Sequence, residues 1–133
     1  MQALKTSSII SIIQLKRSVY ITLSDETSHY FGGYYHVKVL AYSDVPVLEP
    51  FFDNNEEFMD ARTRLGEFVR FERLLEKMAV PENETESVRD QLVDAFKETT
   101  VVYLSTADFA ERFVRAAYLK CLKKPIYPYL QDF

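Results

Sequence analysis

Two stretches near the start of the chain decide its fold: residues 9–23 read IISIIQLKRSVYITL and residues 34–43 read YYHVKVLAYS. Apolar and polar side chains alternate along both stretches, and a period of two places one set on each side of a pleated strand. The two stretches therefore predict the arms of an antiparallel hairpin. Its apolar face carries Ile13, Leu15, Val19, Ile21, Leu23, Tyr35, Val37, Val39 and Ala41.

The connection between the arms is predicted at residues 25–33. It ends in Gly32-Gly33, and glycine adopts the positive φ of a return turn without a steric cost. We expect the first arm to be a single long strand, because the apolar face continues through it. Two strands joined at Lys16-Arg17 are the alternative.

The predicted register leaves the beginning of the first arm without a partner strand. If the arms meet around Ser24 and Tyr34, Leu15 pairs near Ser43 and residues 9–13 extend beyond the second arm. The isoleucines of this overhang also fit a helical period, but β-branched side chains lose rotamer freedom in helices, which favours a strand. An unpaired apolar strand end needs a cover or a partner.

A long helix is predicted after the hairpin. It begins at Asp53 or Asn54, which can cap it, and runs to about Ala79, because Pro81 cannot continue a helix. Apolar residues at a three-four spacing predict one buried stripe along it, with Phe68 at the centre.

Two further helices are predicted. The second begins near Glu84, and the strand-forming residues Thr99–Leu104 after it predict an edge strand or, alternatively, the last turns of the same helix. Ser105 and Asp108 have the spacing of a capping box, so the third helix is expected from there to about Lys123. Strands followed by helices indicate an α+β fold, with an N-terminal antiparallel hairpin or sheet and three helices packed on it.

The composition is that of one ordinary globular domain covering residues 1–133, with 47% hydrophobic and 27% charged residues. A formal charge of −4 argues against a nucleic-acid partner, which needs a basic surface. No apolar run approaches the ~20 residues that span a bilayer, so no membrane partner is expected. The single Cys121 favours a reducing compartment, and we expect a cytoplasmic protein.

No group of residues in the sequence has the spacing of a catalytic or metal site. His29 and His36 are the only histidines, and no H-x-x-x-H or C-x-x-C pattern accompanies them. Cys121 falls on the apolar face of the third helix, where a free cysteine behaves as a small buried hydrophobe. We therefore expect no metal, no cofactor and no catalytic residues.

The candidate binding residues come from two surfaces. The polar face of the hairpin is rich in tyrosine, which is typical of contact surfaces, unless a helix covers that face as well. A basic ridge on the long helix is the second surface, and charged helix ridges are mostly solvated. The candidates are Tyr20, Tyr30, Tyr34, His36, Lys38, Tyr42, Arg70, Arg73 and Lys77.

Three features predict more apolar surface than one chain covers. They are the overhang at residues 9–13, the side chains of Phe71, Leu74 and Met78, and an aromatic tail at residues 126–133. Burial of the helix end from two sides in one chain would explain the middle feature equally well. We predict an interaction or regulatory module that pairs with a second copy of itself, with no catalytic activity. The alternative is a binder of a small molecule or peptide in a pocket lined by Tyr and Phe.

Overall fold

The computed structural model describes residues 8–15, 19–106 and 108–123, and the described elements form the predicted α+β fold. The predicted tail at residues 126–133 lies outside these ranges. The elements are β1 Ser8–Gln14, β2 Tyr20–Asp25, β3 Ser28–Phe31, β4 Tyr34–Pro46, α1 Asn55–Leu65, β5 Phe68–Pro81, α2 Thr85–Leu104 and α3 Phe109–Lys123.

The five strands form one antiparallel sheet with β4 at its centre. β2 pairs with residues 39–42 of β4, and β3 pairs with residues 34–36 of the same strand. β2 and β3 therefore lie along the same edge of β4. β5 also pairs with β4, along its opposite edge. β1 pairs with β2 and lies at the end of the sheet.

The first arm of the hairpin consists of two strands, which confirms the alternative prediction. β1 turns back and pairs with β2, so Ile12 lies opposite Thr22, and the predicted overhang at residues 9–13 is wrong. Leu15 donates its N–H to Val19 O across the reversal, at 2.6 Å. Pairing within the first arm satisfies backbone groups that the single-strand prediction left without partners.

The predicted connection at residues 25–33 contains β3, which changes the register of the hairpin. β3 continues the pairing with β4 up to a tight turn, where Gly32 has a φ of 56°. Between β2 and β3 the N–H of Lys38 donates to the hydroxyl of Thr27. As a result Thr22 pairs with Tyr42, and Leu15 does not pair near Ser43.

The predicted long helix is wrong beyond its first half. α1 ends at Leu65, Gly66 follows with a φ of 86°, and residues 68–81 form β5. The three-four spacing that predicted a helix also contains a period of two, and the free edge of β4 offers the backbone a ladder. Phe68, predicted to be buried at the centre of a helix, is therefore 54% exposed on a strand.

Residues 99–104 complete α2, so the predicted edge strand is wrong and its helical alternative is confirmed. Thr99 donates its hydroxyl to Ala95 O, as threonine commonly does inside helices. Phe96 and Leu104 are buried on the inner side of the helix. Burial of this face outweighs the weak helix propensity of the β-branched residues between them.

The chain divides into two compact units. In the described ranges unit 1 comprises residues 8–44 and 70–109, with the sheet and α2. On the apolar side of its sheet Val37 and Val80 are buried, and α2 packs Val88 and Leu92 against them. The other buried side chains of this side include Ile21, Leu23, Val39 and Ala41.

Unit 2 comprises residues 45–69 and 110–123 of the described chain and is built on α1 and α3. Tyr118 of α3 donates its hydroxyl to Asp60 of α1 at 2.7 Å, and its ring meets Phe52 edge-on. Arg115 donates to the carbonyl of Phe51 at 2.8 Å. These bonds hold α3 on α1 and on the segment before it.

Two further observations concern the helices. Cys121, predicted to be buried, is only half-buried on α3. None of the helices within the described ranges is long and apolar enough to cross a membrane.

Candidate functional site

One side of the sheet in unit 1 is the candidate functional site, and we call it the open face. Side chains alternate across a strand, so residues at every second position share a side. Directly opposite residues of antiparallel strands also share a side. The open face carries Ile12, Tyr20, Thr22, His36, Lys38, Leu40, Tyr42, Arg70, Leu74 and Met78.

The pairing of the strands brings the side chains of the open face together. Ile12 lies opposite Thr22, and Thr22 lies opposite Tyr42. Arg70 of β5 holds its guanidinium over the ring of Tyr42, with 4.4 Å between the carbon and the ring centroid. One row of side chains therefore crosses the sheet from β1 through β2 and β4 to β5.

The open face leaves large apolar side chains in contact with solvent. The exposed fractions are 58% for Ile12, 48% for Tyr20, 45% for Leu74 and 48% for Met78. α2 packs on the opposite side of the sheet, where the buried valines lie. Apolar side chains grouped on one surface mark interaction sites more often than isolated ones do.

Arg70 ties β5 to β4 through a charge-assisted contact on this face. Its Nε and Nη2 donate to the two carboxylate oxygens of Asp44, at 2.9 and 3.0 Å. These hydrogen bonds and the guanidinium charge lower the pKa of Asp44 below its ordinary value. The planar guanidinium can bind the carboxylate and lie over Tyr42 together, which the ammonium of lysine cannot do.

A second polar contact joins the same two strands. His36 Nε2 lies 2.7 Å from Glu76 Oε1, with the histidine more buried than the glutamate. His36 and Asp44 lie on β4, and Glu76 and Arg70 lie on β5. The charged groups at this border of the open face are thus paired within one chain.

The tip of the β3–β4 hairpin carries a separate aromatic group. Tyr30, Phe31 and Tyr34 are exposed there, Phe31 by 74%. An open groove of about 570 Å³ lies beside the tip, between Gly33-Tyr34 and the end of β5. Its lining residues are Gly33, Tyr34, Pro81, Glu82 and Asn83.

The structure brings together five of the nine residues predicted from the sequence: Tyr20, His36, Lys38, Tyr42 and Arg70 lie on the open face. The remaining four lie apart from this group. Tyr30 and Tyr34 lie at the hairpin tip, where Tyr34 is on the same side of β4 as His36 but at the end of the strand. Arg73 and Lys77 are at odd positions of β5, on the side opposite to Arg70. The predicted basic ridge does not form, since it required a helix at residues 70–77.

Five contributors to the open face and its border are not among the predicted binding residues: Ile12, Asp44, Leu74, Glu76 and Met78. Ile12, Leu74 and Met78 were predicted as apolar surface, but in an overhang and on a helix. The last three of the five lie in the segment that was predicted to be helical. Burial alternates only along residues 68–72 of β5, because Arg73 and Lys77 are exposed at odd positions. The same two charged residues interrupt the period of two in the sequence, which therefore did not single out a strand.

The open face offers apolar and polar side chains for binding. No group of three or more His, Cys, Asp or Glu side chains that could hold a metal ion occurs in the described ranges. His29 contacts the carbonyl of Gly32 and meets the ring of Tyr35 edge-on at 5.3 Å, so it supports the hairpin turn.

Comparisons with protein-family models, with curated proteins and with solved structures give no match for this chain.

Proposed function

We propose that the protein is a non-catalytic interaction module that works as a homodimer, with the β1 border of the open face as the contact between the copies. The observation that carries this proposal is the exposure of Ile12 and Tyr20 at that border. Monomeric proteins rarely expose apolar patches larger than a few hundred Å². Closed twofold dimers are the commonest arrangement that buries such a surface.

The distribution of charge favours a second copy at the β1 border of the open face. At the β5 border Arg70 is paired with Asp44, and Glu76 is paired with His36. The β1 border is different, because Ser8–Gln14 contains no charged residue and the neighbouring Tyr20 is exposed. Two copies can meet there without burying an unpaired charge, which would be costly.

The cytoplasm is the proposed site of action. Cys121 is the only cysteine and is not engaged in a disulfide. Stable structural disulfides are rare in reducing compartments, so a chain with one free thiol fits such a compartment.

The proposal is tested by the mass in solution and by two matched variants. Sedimentation should give twice the chain mass of 15.6 kDa at micromolar concentration. Ile12→Lys places a charge at the β1 border and should raise the dissociation constant at least ~10-fold, because the charge loses water in the interface. Leu74→Lys makes the same change at the β5 border and should leave the dissociation constant unaltered.

Two outcomes would contradict the proposal. A monomer at every concentration would exclude the homodimer. Equal weakening by Ile12→Lys and Leu74→Lys would place the contact across the whole open face and would contradict a contact confined to the β1 border.

A second candidate function is the binding of a small molecule or short peptide, and the groove beside Tyr34 supports it. A volume of about 570 Å³ falls in the range of ligand sites. Ligand-observed NMR with a library of small aromatic compounds and tripeptides would find a ligand of this groove. Binding there should be lost in Tyr34→Ala and retained in Tyr20→Ala, whereas equal binding to both variants would exclude the groove.

A further inference from the structure

β1 is an edge strand with one unused side. Within the described ranges β1 pairs only with β2, so its outer row of backbone N–H and C=O groups has no partner strand. Such a row is a template for pairing with another strand, and proteins usually protect it.

The hydrogen bond at the β1–β2 reversal shows which groups point outward. Leu15 donates to Val19 O, so this pair exchanges hydrogen bonds, and bonded pairs recur at every second residue of an antiparallel ladder. Ile13 opposite Ile21 is therefore the next bonded pair. The N–H and C=O groups of Ile12, between the bonded pairs, point away from β2.

The two edges of the sheet are built differently. β5 carries charged residues along its length, has Ala79 in a left-handed conformation and ends at Pro81. Charges, irregular backbone and proline are the features that discourage strand addition. Ser8–Gln14 reads SIISIIQ and has neither charge nor proline nor glycine. It has one bulge, at Ile10.

Ser11 gives an independent indication of what completes this edge. Its hydroxyl oxygen is shielded from solvent and has no hydrogen-bond partner within the described part of the chain. It is opposite Leu23 on the buried side of the sheet, and it is also the middle residue of β1. A buried hydroxyl without a partner costs free energy, so a partner group close to Ser11 would stabilise the protein.

We propose that β1 pairs antiparallel with β1 of a second copy, about a twofold axis at Ser11. Ser11 then faces Ser11 of the second copy, and rotation about χ1 brings the two hydroxyls to the edge, where they donate and accept one hydrogen bond across the axis. Ile12 lies beside Ile10, and Gln14 lies beside Ser8. The inference rests on the proposed homodimer and specifies its interface.

Ser11 is the middle residue of β1, so an axis there gives the longest overlap between the two copies of the strand. Ser11 is bonded toward β2, so on the outer side it occupies a non-bonded position, where opposite side chains approach most closely. Allowing for the bulge, the ladder supplies about four to eight hydrogen bonds, which is within the range of stable interfaces. An axis perpendicular to the sheet places both open faces on one side, as a single surface.

Disulfide trapping tests the register. In a Cys121→Ser background, Ser11→Cys should form a covalent dimer on mild oxidation, because Cα atoms of a non-bonded pair are ~4.5 Å apart and disulfides need ~4.4–6.8 Å. Gln14→Cys alone should stay monomeric in a denaturing gel, since its copies are six residues out of register, or ~20 Å apart.

Hydrogen exchange of the unmodified protein is the second measurement, and it serves even if Ser11→Cys fails to fold. The amide of Ile12 should exchange at least ~10-fold more slowly above the dissociation constant than below it, because the ladder protects it. Amides at the outer edge of β5 should show no such dependence on concentration.

The outcomes separate this inference from the proposed function. If sedimentation shows a dimer but Ser11→Cys gives no covalent product and the Ile12 amide stays unprotected, the ladder is wrong and the homodimer stands. If the protein is a monomer throughout, both are wrong.

Discussion

At the scale of single residues, hydrogen bonds to carboxylates hold each unit together. In unit 1 Arg70 binds Asp44, and in unit 2 Tyr118 and then Arg64 bind Asp60. Each of these bonds favours the charged carboxylate, so the pKa values of Asp44 and Asp60 lie below the ordinary aspartate value. A lowered pKa in the folded state contributes stability that depends on pH.

The contact between Tyr118 and Asp60 should be visible as such a dependence. Its contribution is present above the ordinary aspartate pKa of 3.8 and is lost as the pH falls through the lowered value. Tyr118→Phe keeps the ring but removes the hydroxyl, and it should raise the pKa of Asp60. The loss in unfolding free energy should be larger at pH 7 than at pH 2, as measured by urea denaturation.

The matched control for this prediction is Tyr30→Phe, which removes an exposed hydroxyl at the hairpin tip. Its unfolding free energy should follow that of the unsubstituted protein at both pH values. An equal loss at both pH values in Tyr118→Phe would mean that the hydroxyl acts without the charge of Asp60.

The difference between the two sides of the sheet predicts the cost of two truncations. Leu23 is fully buried, so Leu23→Ala should lower the unfolding free energy by ~2–5 kcal/mol. Phe68 is more than half exposed, so Phe68→Ala should cost less than ~1 kcal/mol although it removes more atoms. Chemical denaturation measures both, and a larger loss for Phe68→Ala would mean that the segment around it is buried.

At the scale of elements, β5 is the segment whose conformation the neighbouring strand decides. It begins after Gly66 and is held to β4 by Arg70 and Glu76. Near its end Ala79 adopts a φ of 56°, and the alternation of buried and exposed residues shifts there. The shift turns Val80 into the core beside Val37.

Ala79 should therefore respond to substitution in the opposite way to an ordinary alanine. A left-handed conformation costs a non-glycine residue ~1–2 kcal/mol, so Ala79→Gly should raise the unfolding free energy by up to ~1 kcal/mol after the entropy of the unfolded chain is counted. Ala95→Gly, the same change on the exposed side of α2, should lower it by ~0.5–1 kcal/mol. Thermal denaturation compares them, and a loss in both variants would exclude strain at Ala79.

At the scale of the whole molecule, the net charge opposes the association of two copies, whereas the uncharged edge strand β1 favours it. Each copy has a formal charge of −4, so two copies repel one another over long distances. The proposed interface at β1 contains no ion pair that salt would weaken.

Salt should therefore strengthen the dimer. Raising NaCl from ~50 to ~500 mM shortens the screening length to a few Å and removes most of the repulsion between copies, so the dissociation constant should fall. Sedimentation at both salt concentrations measures the change. A rise in the dissociation constant would show that ion pairs hold the copies together and would contradict an interface at β1.

The period of two along residues 34–43 was sufficient to predict both sides of β4. It placed Val37 and Val39 in the core and Tyr42 on the open face, because alternation in a strand follows from local backbone geometry. The third helix was predicted to within a few residues for a similar reason, since its apolar stripe lies within its own sequence. The predicted capping box is wrong, because Ser105 ends α2 and donates its hydroxyl to Val101 O.

Contacts between distant segments determined the rest. Residues 68–78 fit a helical and a strand period, and pairing with β4 satisfied their backbone as a ladder. Residues 99–104 favour a strand locally, but burial of Leu104 kept them helical. Asp44 and Arg70 are 26 residues apart, so their contact follows from the pairing of β4 with β5. A local pattern fixes which side chains share a face, whereas the partner of each backbone group is fixed by the element that packs beside it.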